Sequence, residues 1–285
     1  MASERRNRSE GWRHAKLDGH ANEEQFAASL INDQEFISAI EKQKIKISPE
    51  GSPEVSVDGT KHVESIFGDM TTSKVDLALN WSDGQQVNIS LKKSEAGQVW
   101  LVSVPRFISA IEFHSQQKID PNARIGISLF IGGTNLSDYQ EYFTKALAVS
   151  KKKNPRIAVQ ELHQSRLVAK SIEENFPLIW KSTLDFFNSN IGLITRLSFA
   201  QGLAKSEKDA ADVIIYNKVV DGKSIFPISK IIEDATSHTK THPTTPGPKN
   251  GGSTLQLPTG FLQMHHPQEE NLLQFHHQYK KISKL

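Results

Sequence analysis

The chain contains no cysteine. That excludes disulfides, thiolate zinc sites and thiol nucleophiles, and it fits a reducing compartment. No apolar run approaches the roughly 20 residues that a membrane span needs. The opening MASERRNRSEGWR has no apolar signal core, so secretion is not expected. Charge of one sign is also missing: 34 basic against 32 acidic residues leave a net +2. A nucleic-acid surface would therefore be a local patch, not a global field. There is no GxxxxGK[ST] loop, which argues against an ATP-driven motor and a nucleotide cofactor, and no G-x-S-x-G nucleophile elbow. What remains is 285 residues with 37% hydrophobic content, enough for one large domain or two small ones.

The most informative stretch is TTSKVDLALNWSDGQQVNISLKKSEAGQVW, residues 71–100. It reads as two strands, 73–80 and 86–93, joined by Ser82-Asp83-Gly84. Asp and Gly tolerate the backbone angles of a tight hairpin. Val75, Leu77 and Leu79 alternate on one face, opposite Val87, Ile89 and Leu91. The other face carries Lys74, Asp76 and Ala78 across from Asn88, Ser90 and Lys92, and such a face is expected to meet water. Asp76 and Lys92 can then meet across the hairpin. By strand alternation Lys93 points away from them.

This arrangement resembles the core of the PD-(D/E)xK nucleases, the superfamily of most type II restriction endonucleases. Val75-Asp76 stands for the first half of the motif and Ser90-Leu91-Lys92 for the acid-x-Lys tripeptide, with Ser90 in the acid's place. Some restriction-type branches look similar: an SK-x-D segment (here Ser73-Lys74-Val75-Asp76), a short hairpin, then I-S-L-K-K (here Ile89 to Lys93). The resemblance covers roughly the first 115 residues. It implies Asp76 as a Mg²⁺ ligand, the Ile89 carbonyl as another, Lys92 as the residue stabilising the transferred phosphate, and Ser90 beside it. In those branches a glutamate from elsewhere completes the metal site. Glu23 follows Gly19-His20 in a helix-entry pattern of that kind, with Glu24 and Glu64 as alternatives. The alternative for Glu23 and Glu24 is that they only cap a helix opening at Asn22, where carboxylates suit the dipole. A glutamine at the position of Gln98 recurs in related nucleases, so it is a candidate site-lining residue with Lys93.

Around this hairpin, 23–31 (with Phe26, Ala27, Leu30 and Ile31 as its buried stripe) and 34–42 read as helices, and 61–67 as a short helix carrying Glu64. Residues 98–104 are apolar enough for a buried central strand. Pro105 opens a helix with Ile108, Ile111 and Phe113 inward. Residues 125–131, IGISLFI, read as a further strand. The second half looks largely helical over 139–149, 157–175, 178–188 and 191–203. Residues 209–216 read as a strand or a helix end leading into one, 238–259 as a long loop, and 260–265 with 271–278 as a C-terminal hairpin. The predicted fold is α/β, a restriction-endonuclease-like mixed central sheet flanked by helices. It would have a polar arm at 1–18, a catalytic core at 19–135 and a recognition and dimerisation region at 136–285.

From Lys145 to Lys170 there are seven basic residues and one acid, Glu161. A charge run is usually a solvated face, yet Lys151, Lys152, Lys153, Arg156 and Arg166 suit phosphate contacts. Arg5, Arg6, Arg8 and Arg13 would make the arm a second basic element. The pairs His265-His266 and His276-His277 each offer one imidazole to a given side of a strand, which disfavours a shared metal. The expected activity is Mg²⁺-dependent, sequence-specific cleavage of double-stranded DNA leaving 5′-phosphates, by a homodimer in a bacterial or archaeal cytoplasm, without membrane contact. The rival expectations are an inactive DNA-binding protein on a nuclease-like fold, a repair or phage nuclease without strict specificity, and a helical interaction protein.

Overall fold

The structure is a computed structural model that describes residues 24–29, 33–42, 51–57, 61–219, 222–266 and 270–285. The basic arm, the Asn22 cap and Glu23 lie outside the described residues. The chain is a mixed α/β protein of two compact units. One takes the chain up to Lys93 and returns for Ala204–Ile228; the other comprises Ser94–Leu203 and Ser229–Leu285. Both units are therefore discontinuous in sequence, with boundaries after Lys93, Leu203 and Ile228. Among the described residues no helix is long and apolar enough to cross a membrane.

The first unit is built on a five-stranded sheet of β1 (Glu54–Val57), β4 (Leu77–Asn80), β5 (Gln86–Lys92), β7 (Val213–Val219) and β8 (Gly222–Pro227), in that spatial order. A small hairpin of β2 (His62–Glu64) and β3 (Met70–Thr72) stands beside it in sequence. All pairings in the larger sheet are antiparallel except β5 with β7, so the sheet is mixed. A parallel partner needs a long crossover, and 93–212 is the chain between these two strands. The β4–β5 register pairs Leu77 with Ile89 and Leu79 with Val87, as their alternation predicts. These residues form a core with Val213 and Ile215, and with Phe26 and Ala27 of helix α1 (24–29) and Ile37 and Ile40 of helix α2 (Gln34–Lys42). The turn is closed by Gly84, at φ 84°, and by the Asp83 carboxylate accepting the Gln85 N–H at 2.9 Å.

Two expectations about this unit are corrected. The second face of the hairpin meets water only at its open end: Ala78, Asn88 and Ser90 are buried, while Lys74, Asp76 and Lys92 are half-buried. Asn88 is satisfied there because its amide donates to the carbonyls of Lys208 and Ala210, at 3.0 and 2.9 Å. Residues 61–67 are not helical, since 62–64 pair as β2 with β3.

The second unit has an antiparallel sheet in the order β6 (Ala96–Ser103), β12 (Leu272–Gln278), β11 (Gly260–His265), β10 (Thr254–Leu257), β9 (Thr245–Pro246). The 98–104 run is therefore an edge strand of this sheet, not a central one. One face is buried with α3 (Val104–Ser115) and α4 (Pro121–Ile131), where Trp100 stacks on Phe275 at 5.4 Å between ring centroids and Phe107 lies 5.7 Å from Phe275. Phe107, not Phe113, is the inward aromatic of α3; Phe113 is exposed.

Residues 125–131 are helix, not strand. Asp120 caps α4 by accepting the Ala123 N–H at 3.1 Å, and Pro121 opens it. The helix is buried on several sides, so its apolar residues show no 3.6-residue stripe. It packs on α8 (Pro177–Ser189) at Gly126, where a Cβ would sit 1.8 Å from the Thr183 hydroxyl. The predicted 157–175 helix is two, α6 (Pro155–Gln164) and α7 (Ala169–Asn175), broken by Ser165 at φ 48°. α5 (Gln140–Lys153) precedes them and α9 (Ile191–Arg196) follows α8. The expected loop at 238–259 is partly regular: α10 (Ile228–Thr241) enters it, and β9 and β10 lie within it. The C-terminal hairpin is β11–β12, followed by α11 (Tyr279–Ile282).

Candidate active site

Asp76 sits one residue before β4, so its side chain leaves the chain where strand pairing begins. Its N–H donates to the Ile89 carbonyl at 2.9 Å. Its Oδ2 accepts the Leu91 N–H at 2.6 Å and the Ser90 hydroxyl at 3.2 Å. Lys92 Nζ donates to the same Ser90 hydroxyl at 2.7 Å. Asp76, Ser90 and Lys92 are thus joined in one hydrogen-bonded row at the end of two adjacent strands. Ser90, 1% exposed, is the buried centre of it. A hydroxyl can donate and accept at once, so Ser90 couples the ammonium to the carboxylate. A carboxylate in its place could accept from Lys92 but would face Asp76 with like charge.

Lys74 joins this group. It lies in the bend before Asp76, where the Ser73 hydroxyl accepts the Val75 N–H at 3.0 Å. Burial pushes its ammonium down to about 7, the Lys92 charge pushes in the same direction, and Asp76 opposes both. The side chain as a whole remains half-buried, so it is the charged end that is enclosed. The Ser73-Lys74-Val75-Asp76 segment contains this residue, but a lysine two positions before an aspartate carries no chemical signature by itself. Its closeness to Lys92 comes from the hairpin register.

The donors available to a hard cation here are oxygens: the Asp76 carboxylate and the Ile89 carbonyl, which spends one of its two lone pairs on the Asp76 N–H. Mg²⁺ is held by one or two carboxylates with waters and substrate oxygens making up the rest, so the set fits at its lower limit. Among the described residues no three carboxylate or imidazole groups cluster to hold a metal. Glu23, the expected second acid, lies outside the described residues. Glu24 is exposed on α1. Glu64 is on β2, exposed, with its carboxylate 2.6 Å from Lys205 Nζ.

The remaining expected residues are distributed as follows. Lys93 follows the last residue of β5 and is half-buried. Gln98 belongs to the second unit, on β6, where its Oε1 accepts from Gln274 Nε2 at 2.6 Å. Lys151, Lys152 and Lys153 close α5, and Arg156 lies in the first turn of α6; all four are exposed. Lys153 is 3.4 Å from Glu174. Arg166 is a correction. It is 3% exposed, lies over the Phe130 ring at 5.6 Å, and donates to the carbonyls of Phe130 and Ser253 at 3.3 and 3.4 Å. Burial lowers its guanidinium to about 10, with the Glu161 charge pulling back. Its charge organises the interior and offers nothing to a phosphate. His276 and His277 do alternate, one half-buried and one buried.

No family model matches the chain, and no curated protein matches it. Among solved structures it is similar to the restriction endonuclease MspI in complex with its cognate DNA, at 10% identity and a TM-score of 0.40, over 78% of this chain and 70% of that one. A likeness this loose gives no residue of this chain a role.

Proposed function

We propose that this chain is a Mg²⁺-dependent endonuclease that hydrolyses phosphodiester bonds of double-stranded DNA at a specific sequence, acting as a homodimer. The observation that carries the reading is the row Lys92–Ser90–Asp76 at adjoining strand ends, with Lys74 beside it. Phosphodiester hydrolysis develops negative charge on the phosphoryl oxygens, and fixed cations in a partly enclosed site stabilise that charge. Lys92 supplies one, oriented by Ser90, whose hydroxyl is itself anchored on Asp76. Lys74, lowered to about 7 by burial and by Lys92, supplies a second within the same enclosure when protonated, a form that Asp76 favours. A Mg²⁺ bound by Asp76 and the Ile89 carbonyl, with Glu23 as the further acid, would add Lewis-acid polarisation of a phosphoryl oxygen. The exposed lysines at the end of α5 with Arg156 suit the DNA backbone. Two symmetric cuts in a palindrome require two sites related by a two-fold axis, which is the basis for the dimer.

One observation favours a second reading, a DNA-binding protein without activity: the site holds a single carboxylate among the described residues. Incubation of a long unmethylated DNA with the protein and Mg²⁺ separates the two. Discrete fragments are expected. A smear would retain the nuclease and discard sequence specificity, and intact DNA that is nevertheless bound would leave the inactive binder.

Lys74→Met is expected to separate stability from activity. Removing an enclosed ammonium that burial and Lys92 disfavour and Asp76 favours should leave stability within about 1 kcal/mol. Cleavage should fall by roughly tenfold or more. Thermal melting and initial cleavage rates read the two effects. A variant that loses stability and keeps its rate would make Lys74 a structural residue.

A further inference from the structure

The sheet of the second unit has two unlike faces. The inward one is apolar, with Trp100, Leu262, Leu273 and Phe275 buried. The other carries Gln98, Gln256, Gln263, Gln274 and His276 together with Leu101, Phe261 and Leu272, each exposed or half-buried. None of the five strands contains an Asp, Glu, Lys or Arg. An open sheet face is normally polar through charge as well as amides. Here it is polar through amides and imidazole alone.

These groups are also held in place. Gln263 and Gln274 are directly opposed across β11 and β12, as are Phe261 and His276. Gln263 Nε2 donates to Gln274 Oε1 at 2.7 Å, and Gln274 Nε2 donates to Gln98 Oε1 at 2.6 Å. The His276 Nε2 lies 3.3 Å from Gln263 Nε2, and its ring stacks on Phe261 with centroids 4.5 Å apart and planes 6° from parallel. The row fixes each amide's orientation: Gln263 spends both N–H groups, on Gln274 and His276, and keeps its oxygen, while Gln274 keeps one N–H and one lone pair, since an amide group offers two N–H and an oxygen with two lone pairs.

The edge of this face is cationic. A cleft of about 430 Å³ there is lined by Lys280, Lys281, Lys284, His238, His242 and Gln256, with no Asp or Glu side chain. Lys281 Nζ is spent on Gln256 Oε1 and the Leu257 and Gly260 carbonyls at 3.3, 3.0 and 2.7 Å, so the exposed Lys280 and Lys284 are the ammonium groups it offers. An uncharged row of oriented amides bounded by ammonium groups matches the charge pattern of DNA, whose base edges lie between lines of phosphates. A protein partner would be served by apolar anchors at the centre of the patch, whereas the paired strands β11 and β12 here present Gln263, Gln274 and His276, with the Phe261 ring stacked against the imidazole.

We propose that the open face of this sheet is the surface that reads base edges of duplex DNA, with Gln263 and Gln274 as specificity-determining residues and the lysine cleft at its edge seating the backbone. Gln274 keeps the one donor and one acceptor with which a glutamine pairs with the N6/N7 edge of adenine, and Gln263 keeps an acceptor for a base amino group. Strands are an established means of presenting such groups to a groove. The proposal rests on the nuclease reading and names the part of the chain that gives it specificity.

The test is selection of a preferred sequence from a random duplex library with Ca²⁺ replacing Mg²⁺, using the full chain and its Gln263→Ala/Gln274→Ala double variant. The expected result is a loss of about tenfold or more in the ratio of affinities for selected and scrambled duplex, with affinity for scrambled duplex nearly unchanged. A variant-free measurement runs beside it: diethylpyrocarbonate modification of His265 and His276 in the wild-type protein, expected to slow when the selected duplex is bound. An unchanged ratio with unprotected histidines overturns this proposal alone, and cleavage at a defined sequence would then still stand. Should the variant fail to fold, protection decides. A wild-type chain that neither selects a sequence nor binds duplex overturns the nuclease reading and this one with it.

Discussion

Asp76→Asn is expected to abolish Mg²⁺-dependent cleavage, with a fall of at least about 10³-fold in rate, equivalent to roughly 4 kcal/mol of transition-state stabilisation, while the protein stays folded. The substitution is informative because of what it leaves in place. An asparagine oxygen can still accept the Leu91 N–H and the Ser90 hydroxyl, the two bonds that Asp76 makes at 2.6 and 3.2 Å. Those bonds weaken when the acceptor loses its charge, by about 1 kcal/mol in total. What disappears is the negative charge and its capacity to hold a cation beside Lys74 and Lys92. If Asp76 served only to bind the β5 backbone, Asn would be a near-silent change. Initial rates on supercoiled plasmid, read beside thermal melting of both proteins, give the answer. A folded Asn variant that retains a tenth of the wild-type rate would remove Asp76 from the chemistry.

How much of this was legible in the sequence follows from the kind of signal each element carried. The β4–β5 hairpin was readable because strand alternation and a Ser-Asp-Gly turn are local properties, and its register placed Asp76 next to Ser90. What covers its second face was not readable. Asn88 is satisfied by carbonyls from Lys208 and Ala210, more than a hundred residues on, and no local pattern announces such a partner. The parallel neighbour β7 is distant for the same reason. IGISLFI resembles a strand in sequence because a short apolar run has no period when it is buried all round; the Asp120-Pro121 cap is the local sign of a helix start. Arg166 shows the limit of counting charges. It belongs to the most basic segment of the chain, yet its guanidinium is inside, on carbonyls and an aromatic ring. The amide row of the second sheet was hidden differently: Gln263 and Gln274 lie on the expected C-terminal hairpin, but Gln98 comes from a strand 176 residues away and only sheet pairing brings it into the row.

Lys92→Met carries the second large effect, and it addresses the departure at Ser90. Methionine keeps much of the side chain's length and apolar bulk and removes the ammonium that donates to Ser90 at 2.7 Å. Loss of one fixed donor aimed at developing charge typically costs about 10²–10³-fold in rate, and that range is expected here. Lys92→Arg should not restore activity, because a planar guanidinium cannot reproduce the compact point charge that the Ser90 hydroxyl orients. Duplex binding in Ca²⁺ should change far less than the rate, since one phosphate contact among several is lost. If Ser90 acts only by holding Lys92, then Ser90→Ala should cost less than Lys92→Met, and combining the two should cost little more than Lys92→Met alone. Independent losses that multiply would give Ser90 a role of its own. Loss of binding in parallel with rate would make Lys92 a DNA-binding residue, and the row on Asp76 would be a structural tie between two strands.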